Sequence, residues 1–451
     1  MASAKIQLSD HFTIARLLRF TLPPVLMMIF TSIYNVVDGF FVSNYAGKTA
    51  FAGVNIIWPY IQIWACLGFM FGTGGCALVS KVMGEGDQDR AERYFSAIIY
   101  CAIAAGIITG LVAFATLRPV GRLLGADGEL LDYCVRYGRI LTLSMPFFIL
   151  QGAFQPLMIA AERPRMGMWV TFAAGGSNIV LDYVFVGLFG WGVEGAAIAS
   201  VIGMVVGGMV PFCYFLSKRQ KSRLRLRPIV QVLDRSYVGP LLRACANGMS
   251  ELVTNVSLSL VSMIYNLQLM KVAGEDGVAA YGVLMYASMV FLAIFFGYSM
   301  GVSPVISYNY GAQNHAEMRG LLRKSIALLA SVAILMTAAA EFFAEPLARV
   351  FVGYDESLVA LTKRAFAVYS FSFLLSHFNI FGSAFFTALN DGVRSAVISF
   401  SRMLLFQVPC VLLLPLIMGL DGIWIAMFAA EVLTLGITVY YYLSCRKRYG
   451  Y

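Results

Sequence analysis

The chain has 451 residues, of which 59% are hydrophobic and 13% are charged, and its mean hydropathy is +0.77. This composition excludes a soluble domain and indicates an integral membrane protein. The formal net charge of +9 comes mostly from loops, including the run SKRQKSRLRLRP at 217–228, and does not favour nucleic-acid binding. The eight cysteines are dispersed without C-x-x-C spacing, so neither a metal site nor a disulfide framework is indicated.

Apolar stretches of helical span length recur along the whole chain and lack the ten-residue alternation of a membrane β-barrel. We therefore predict an all-α membrane protein. The first apolar run has no cleavage site after it and is expected to stay as the first span. In chain order the predicted spans, about twelve in number, are 15–44, 52–80, 94–117, 134–160, 166–188, 193–216, 238–268, 278–308, 320–343, 361–389, 393–418 and 421–444.

The distribution of Lys and Arg predicts the orientation of these spans. The N-terminus, every second loop and the C-terminus together hold 24 of the 33 basic residues. Basic loops are retained in the cytoplasm, so both termini are expected on the cytoplasmic side of the plasma membrane.

The sequence repeats itself at an offset of about 227 residues. GVEGAAIA at 192–199 returns as GLDGIWIA at 419–426, and Gly84 and Gly311 keep the same offset. We predict an N-lobe at 1–216, a basic cytoplasmic linker at 217–237 and a C-lobe at 238–451. Six helices per repeat make the two bundles parallel repeats, an arrangement common in secondary transporters. The alternative is chance similarity among small-residue helices.

Ionisable groups inside membrane spans are costly and are functional candidates by default. Helix rise places Asp38 about 28 Å beyond Arg19 and Asp182 about 26 Å beyond Arg165, so the two carboxylates reach a similar depth. Asn178 shares a helix face with Asp182, and Ser200 lies at a compatible depth.

This polar set predicts a site for H⁺ or Na⁺, because two close carboxylates in a low dielectric cannot both stay ionised. Each acid also has an alternative role without ion binding. Asp38 is then an acid at a helix end near the headgroups, and Asp182 forms hydrogen bonds between helices. Pro23 and Pro24 precede Asp38 in the same span and are candidates for a hinge. The alternative is that they form a static kink.

The second half offers a different set of polar residues. Glu251 and Arg402 each lie eight residues beyond an arginine, about 12 Å deep, so an ion pair between them is sterically possible. Such a pair is either a structural brace or part of a substrate or coupling pathway. Glu431 is also deep in its span and has no obvious partner in the sequence.

Several stretches together resemble one family, the multidrug and toxic compound extrusion (MATE) transporters. They are LPPVLMMIFTSIYNVVDGFFV in span one, SNIVLDYVFV in span five, GVEGAAIAS at the start of span six, and the loops MGEGDQDRAER and YGAQNHAEMR. The resemblance implies a two-lobed fold of twelve helices and export of cationic or amphipathic compounds in exchange for H⁺ or Na⁺.

The resemblance also implies roles for individual residues. In prokaryotic members the N-lobe cation site is similar to Asp38, Asn178, Asp182 and Ser200, with a bending proline in span one that Pro23 matches best. Other members use acids in spans seven and ten. Glu251 fits the former, but span ten carries no acid here, which favours the N-lobe as the coupling centre.

We therefore expect a monomeric antiporter of organic cations or amphiphiles, without a cofactor and without enzymatic activity. The first alternative is a lipid-linked oligosaccharide flippase, which would need a cationic cavity; Arg402 is the chief candidate for that charge. The second alternative is a membrane enzyme or receptor, but no nucleophile–base pair or metal cluster in the sequence supports it. No ATP-binding loop is present, so the energy source is expected to be an ion gradient.

Overall fold

The computed structural model describes residues 6–217, 220, 222–232, 235–353 and 355–451. All regular secondary structure in these ranges is helical. The twelve long elements, numbered in chain order, are α1 Ile14–Val42, α2 Thr49–Gly84, α3 Gln88–Leu123, α4 Gly128–Leu143 with Met145–Ala160, α5 Pro164–Leu188, α6 Gly192–Leu216, α7 238–273, α8 275–311, α9 His315–Val352, α10 Glu356–Ala388, α11 Gly392–Met418 and α12 Leu420–Ser444.

The predicted number of membrane spans is confirmed. In the described part of the chain, ten helices are long and apolar enough to cross a membrane, and the two segments of α4, bent by 60°, form one more. One of the ten, Val238–Gly311, counts twice because it is interrupted at Gly274. Gly274 has φ 64° and ψ −150°, a backbone conformation that favours glycine and separates α7 from α8.

The two halves of the chain repeat each other in local detail. Asp87 caps α3 by accepting a hydrogen bond from the amide of Arg90, and Asn314 caps α9 in the same way at the amide of Glu317. Glu162 after α4 and Asn390 after α10 both have positive φ, 57° and 59°. These equivalences recur at the offset found in the sequence, so they support two parallel repeats. The lobe boundaries themselves stay a prediction.

Four glycines bring the two halves into backbone contact on one side of the bundle. A Cβ atom at Gly84 would lie 2.0 Å from the carbonyl oxygen of Tyr308, and one at Gly311 would lie 1.9 Å from that of Lys81. Gly74 and Gly248 make equivalent approaches between α2 and α7. This closed side also carries both chain termini, and we call it the termini face.

Residues 6–12 form a strap across the termini face. The amide of Leu8 donates to Glu162 Oε1 (3.1 Å) after α4, and the amide of Phe12 donates to Glu317 Oε1 (2.9 Å) at the start of α9. Lys324 Nζ donates to the carbonyl oxygen of Phe12 at 2.5 Å. The strap therefore connects the first half to the second.

The described part of the predicted linker packs on the first half. Arg227 Nε donates to Glu92 Oε2 at 2.7 Å, and its amide donates to Ser96 Oγ at 2.8 Å. Leu224 is fully buried. Residues 218, 219, 221, 233 and 234 of this linker, and residues 1–5 of the predicted N-lobe, lie outside the described residues.

Candidate functional site

Helices α1, α5 and α6 bring the predicted polar residues of the first half together. Asp38, Asn178 and Ser200 line one cavity of about 1040 Å³. Asp182 lies beside it, fully buried, with its carboxyl group in direct interaction with that of Asp38. Asn178 lies next to Asp38 and donates a long hydrogen bond to Ser200 Oγ, at 3.4 Å. All four predicted residues therefore meet, although the sequence spaces them across 162 positions.

Close helix packing explains how these side chains meet. Gly175 of α5 receives the rings of Phe30 and Tyr34 from α1, and a Cβ atom there would lie 2.6 Å from Phe30. Gly203 of α6 approaches the carbonyl oxygen of Ala174 in the same way. Small residues that let helices approach closely are typical of membrane bundles, and here they set the distances between the polar residues.

Three of the four carboxylate oxygens of Asp38 and Asp182 have no hydrogen-bond partner among the described residues. Both carboxylate oxygens of Asp182 and Oδ1 of Asp38 are buried without a partner in the described part of the chain. Burying unpaired carboxylate oxygens is costly, and a proton or a small cation shared between the two groups would remove that cost. The arrangement is thus suited chemically to take up H⁺ or a monovalent cation.

Irregular helical turns adjoin three of the intramembrane charges, Asp38, Asp182 and Arg402. A π-helical segment follows α1 at Val42–Ala46, four residues after Asp38, and a second, Tyr183–Leu188, begins directly after Asp182. A third, Ser401–Phe406, lies in α11 and contains Arg402. Such π-helical turns occur often at functional sites because they re-aim side chains.

The tandem prolines lie away from this cavity. Pro23 and Pro24 are buried inside α1, which stays helical through them, about 20 Å from Asp38 by helix rise. The carbonyl oxygen of Pro24 packs against Gly297 of α8, where a Cβ atom would lie 2.9 Å away. The prolines thus contact the opposite half, and their hinge role stays a proposal.

A second cavity of about 1150 Å³ lies between the two halves. Its apolar wall is contributed by both halves and includes Met28, Phe69, Leu258, Phe296 and Met300. Glu251 projects from α7 into this space and has no ion-pair partner among the described residues. The two cavities share Met28, Phe69 and Asn255, so they adjoin.

The second half contains an ion pair that the sequence analysis did not find. Arg402 Nε donates to Glu431 Oε1 at 2.7 Å, and the two side chains are 6% and 0% exposed. Glu431, for which the sequence offered no obvious partner, is thus paired with Arg402, and the ion pair considered between Arg402 and Glu251 is made with Glu431 instead. Helix rise gives depth in the membrane but not the direction in which a side chain faces, so spacing alone could not choose between the two acids.

Three further residues complete the surroundings of Glu431. Ser376 Oγ and Asn379 Nδ2, both on α10, donate to its carboxylate at 2.7 Å. Thr438 Oγ1 on α12 donates to Asn379 Oδ1 at 2.8 Å. Sequence reasoning missed this network; the available signal was Ser376 and Asn379 at i, i+3 spacing in an apolar span, which places them on one helix face.

Comparison with known proteins finds the same two halves in this chain. The MatE family profile matches residues 23–184 and again 252–413. The multidrug export protein MepA of Staphylococcus aureus (strain MRSA252) is 23% identical over 431 residues, which cover 95% of this chain and 93% of MepA. MepA of Staphylococcus haemolyticus (strain JCSC1435) is 22% identical over 438 residues, covering 96% of this chain and 94% of that protein.

Solved structures share the fold over the whole chain. A MATE protein in complex with MaL6 superimposes with a TM-score of 0.91 at 21% identity, covering 100% of this chain and 99% of that one. A multidrug resistance MATE family transporter in its outward-facing conformation matches with the same values. The fold is thus that of a multi-pass helical membrane protein built from two similar halves. The chain belongs to the MatE family.

Proposed function

We propose that this protein is a secondary active antiporter that exports cationic or amphipathic organic compounds in exchange for H⁺ or Na⁺. One observation carries the proposal: an apolar cavity holding Glu251, which has no ion-pair partner among the described residues, adjoins a second cavity beside which Asp38 and Asp182 bury three carboxylate oxygens without a described hydrogen-bond partner. Two adjoining sites of this kind, one for the exported compound and one for the driving ion, are suited to coupled transport.

Each cavity has a distinct role in this mechanism. The cavity between the halves binds the organic cation, since flexible Met and aromatic side chains accept varied apolar shapes and Glu251 supplies the compensating charge. The driving ion binds at Asp38 and Asp182, assisted by Asn178 and Ser200. It removes the repulsion between the two carboxylates, so the packing of α1 against α5 changes with ion occupancy.

Movement of α1 couples the two cavities. Met28 lies on α1 in the wall that both cavities share, and Pro23 and Pro24 lie one turn before it, against α8 of the other half. A shift of α1 on ion binding therefore reshapes the substrate cavity, with the prolines as the hinge. Arg402 and Glu431 brace the second half beside this cavity.

Several further features belong to the same proposal. The excess of basic residues in the loops of the termini face supports a cytoplasmic orientation of this face in the plasma membrane. In that orientation the glycine contacts close the cytoplasmic side and the cavities open outward. One chain supplies both lobes that line the transport pathway, so the transporter acts as a monomer. The flippase alternative depended on a free cationic group in the cavity, and the pairing of Arg402 with Glu431 reduces its support.

Ethidium efflux from reconstituted proteoliposomes, with pH and Na⁺ gradients imposed separately, tests the proposal. One gradient should drive efflux in the wild type, and Asp182→Asn should abolish it because one carboxylate of the pair is lost. Glu194→Gln, an exposed acid at the start of α6, is the matched control and should keep full activity. Gradient-driven efflux that persists in Asp182→Asn would refute the ion site, and no efflux under either gradient would refute antiport.

A further inference from the structure

We propose that a groove on the membrane-facing surface of the second half is a binding site for an anionic phospholipid. The groove has a volume of about 780 Å³ and is lined by residues of α9, α10, α12 and the C-terminal segment. It lies outside both cavities of the proposed transport pathway, and the inference goes beyond the proposed function.

Helix packing creates the groove. Both α9 and α12 pack on the Phe373–Ala388 segment of α10 from either side. Phe378 of α10, Ile326 of α9 and Val439 of α12 all line the groove. Because α9 and α12 are held apart by α10, the space between them faces the surface of the bundle, where lipid surrounds the protein.

The groove is almost entirely apolar, and three arginines lie at one end of it. Arg319 and Arg323 at the start of α9 and Arg446 after α12 lie at the termini face. Leu443 and Val439 precede Arg446 by one and two helical turns, on the same helix face and deeper in the membrane. This gradient matches a phospholipid, whose charged headgroup lies at the membrane surface and whose acyl chain lies in the hydrocarbon.

The charges at the groove favour an anion. Three arginines line its end at the termini face, and no acidic side chain lines it within the described part of the chain. Arg319 Nε donates to the carbonyl oxygen of Gly450 at 3.2 Å, which leaves its other guanidinium nitrogens available. Arginine binds phosphate through paired N–H donors, and basic pockets between membrane helices on the cytoplasmic side bind anionic headgroups.

The occupant must be a lipid because the apolar walls are part of the site. A free phosphate ion would use the arginines alone and would leave Ile326, Phe378, Val439 and Leu443 uncovered. A phospholipid covers both the charged and the apolar part. We therefore assign the site to a glycerophospholipid with an anionic headgroup, such as phosphatidylglycerol.

Native mass spectrometry of the purified full-length protein tests this assignment, with phosphatidylglycerol, phosphatidylcholine and inorganic phosphate as probes. We expect the wild type to retain phosphatidylglycerol at least tenfold more tightly than phosphatidylcholine. The variant R323Q/R446Q should lose this preference, because the headgroup contacts are removed. The matched control R165Q/R243Q, which changes two exposed arginines at the same face outside the groove, should keep it.

A second variant tests the apolar part independently. Val439→Trp fills the groove without changing its charge and should weaken phosphatidylglycerol binding severalfold. Equal binding of phosphatidylglycerol by R323Q/R446Q and the wild type would overturn the proposal. Thermal unfolding with added inorganic phosphate gives a further check. If phosphate stabilised the wild type as much as phosphatidylglycerol does, and Val439→Trp did not change this effect, the groove would bind an anion and not a lipid, which would also overturn the proposal. All of these measurements are independent of transport, so they can also be made on the Asp182→Asn variant.

Discussion

Arg402 Nε and Glu431 Oε1 form a hydrogen-bonded ion pair of 2.7 Å in the interior of the second half. Glu431 also accepts from Ser376 and Asn379, so its carboxylate is satisfied by three side chains. Such a pair holds α10, α11 and α12 in one arrangement, because each charge is stabilised only while the other is in place.

Removing one member of this pair should destabilise the protein strongly. Arg402→Met leaves the Glu431 charge buried without its partner, and we expect a loss of about 3–5 kcal/mol in the free energy of unfolding. The double variant R402M/E431M should recover most of that loss. Arg349→Met, which breaks exposed pairs with Glu345 and Glu356, is the control and should leave the unfolding temperature nearly unchanged. Thermal unfolding in detergent would rank the stabilities of these variants. If R402M/E431M were no more stable than Arg402→Met, this account of the ion pair would be contradicted.

Asp38 and Asp182 should behave as one unit in ion coupling. If they share the driving ion, Asp38→Asn, Asp182→Asn and the double variant should all reduce gradient-driven efflux to the same residual level, since groups that act together are not additive. Initial rates in proteoliposomes of the four proteins would test this. Efflux losses that multiply in the double variant would indicate two independent sites.

The glycine contacts on the termini face should not tolerate a methyl group. Gly84→Ala would place Cβ against the carbonyl oxygen of Tyr308, so the α2–α8 contact must open, at a cost of about 1–3 kcal/mol. Gly436→Ala is the matched control, because Gly436 also lies within a helix but has nothing within 4 Å. That substitution should leave the thermal unfolding temperature unchanged or raise it slightly, since alanine favours helix. Equal unfolding temperatures for the two variants would argue against a close backbone contact.

Glu317 should control the attachment of the strap. Its carboxylate accepts from the amide of Phe12 at 2.9 Å and lies 2.6 Å from His11 Nδ1. Glu317→Ala leaves the buried amide of Phe12 unpaired, which we expect to cost about 1–3 kcal/mol locally and to speed hydrogen exchange in residues 6–13. Glu356→Ala removes an acid that is 74% exposed beside Arg349 and should leave exchange in this segment unchanged. Slow exchange retained in Glu317→Ala would show that the strap is held by other contacts.

Much of the fold could be predicted from the sequence because its signals are local. Apolar length defines a membrane span on its own, and the repeated GVEGAAIA and GLDGIWIA motifs reveal the internal repeat without knowledge of any contact. Depth along a helix is also local, which is why the residues Asp38, Asn178, Asp182 and Ser200 could be grouped before their helices were placed.

What the sequence could not provide was the rotation of each helix and the identity of its neighbours. Glu431 and Arg402 lie 29 residues apart on adjacent helices, and nothing in their spacing predicts that they meet while Glu251 faces the cavity alone. The attachment of the strap to both halves and the groove between α9 and α12 likewise depend on contacts between distant segments. The sequence by itself determined the spans, their repeat and the depth of the charges, because periodicity and rise act within one helix. The tertiary structure alone decided which charges pair, since pairing depends on how helices pack around one another.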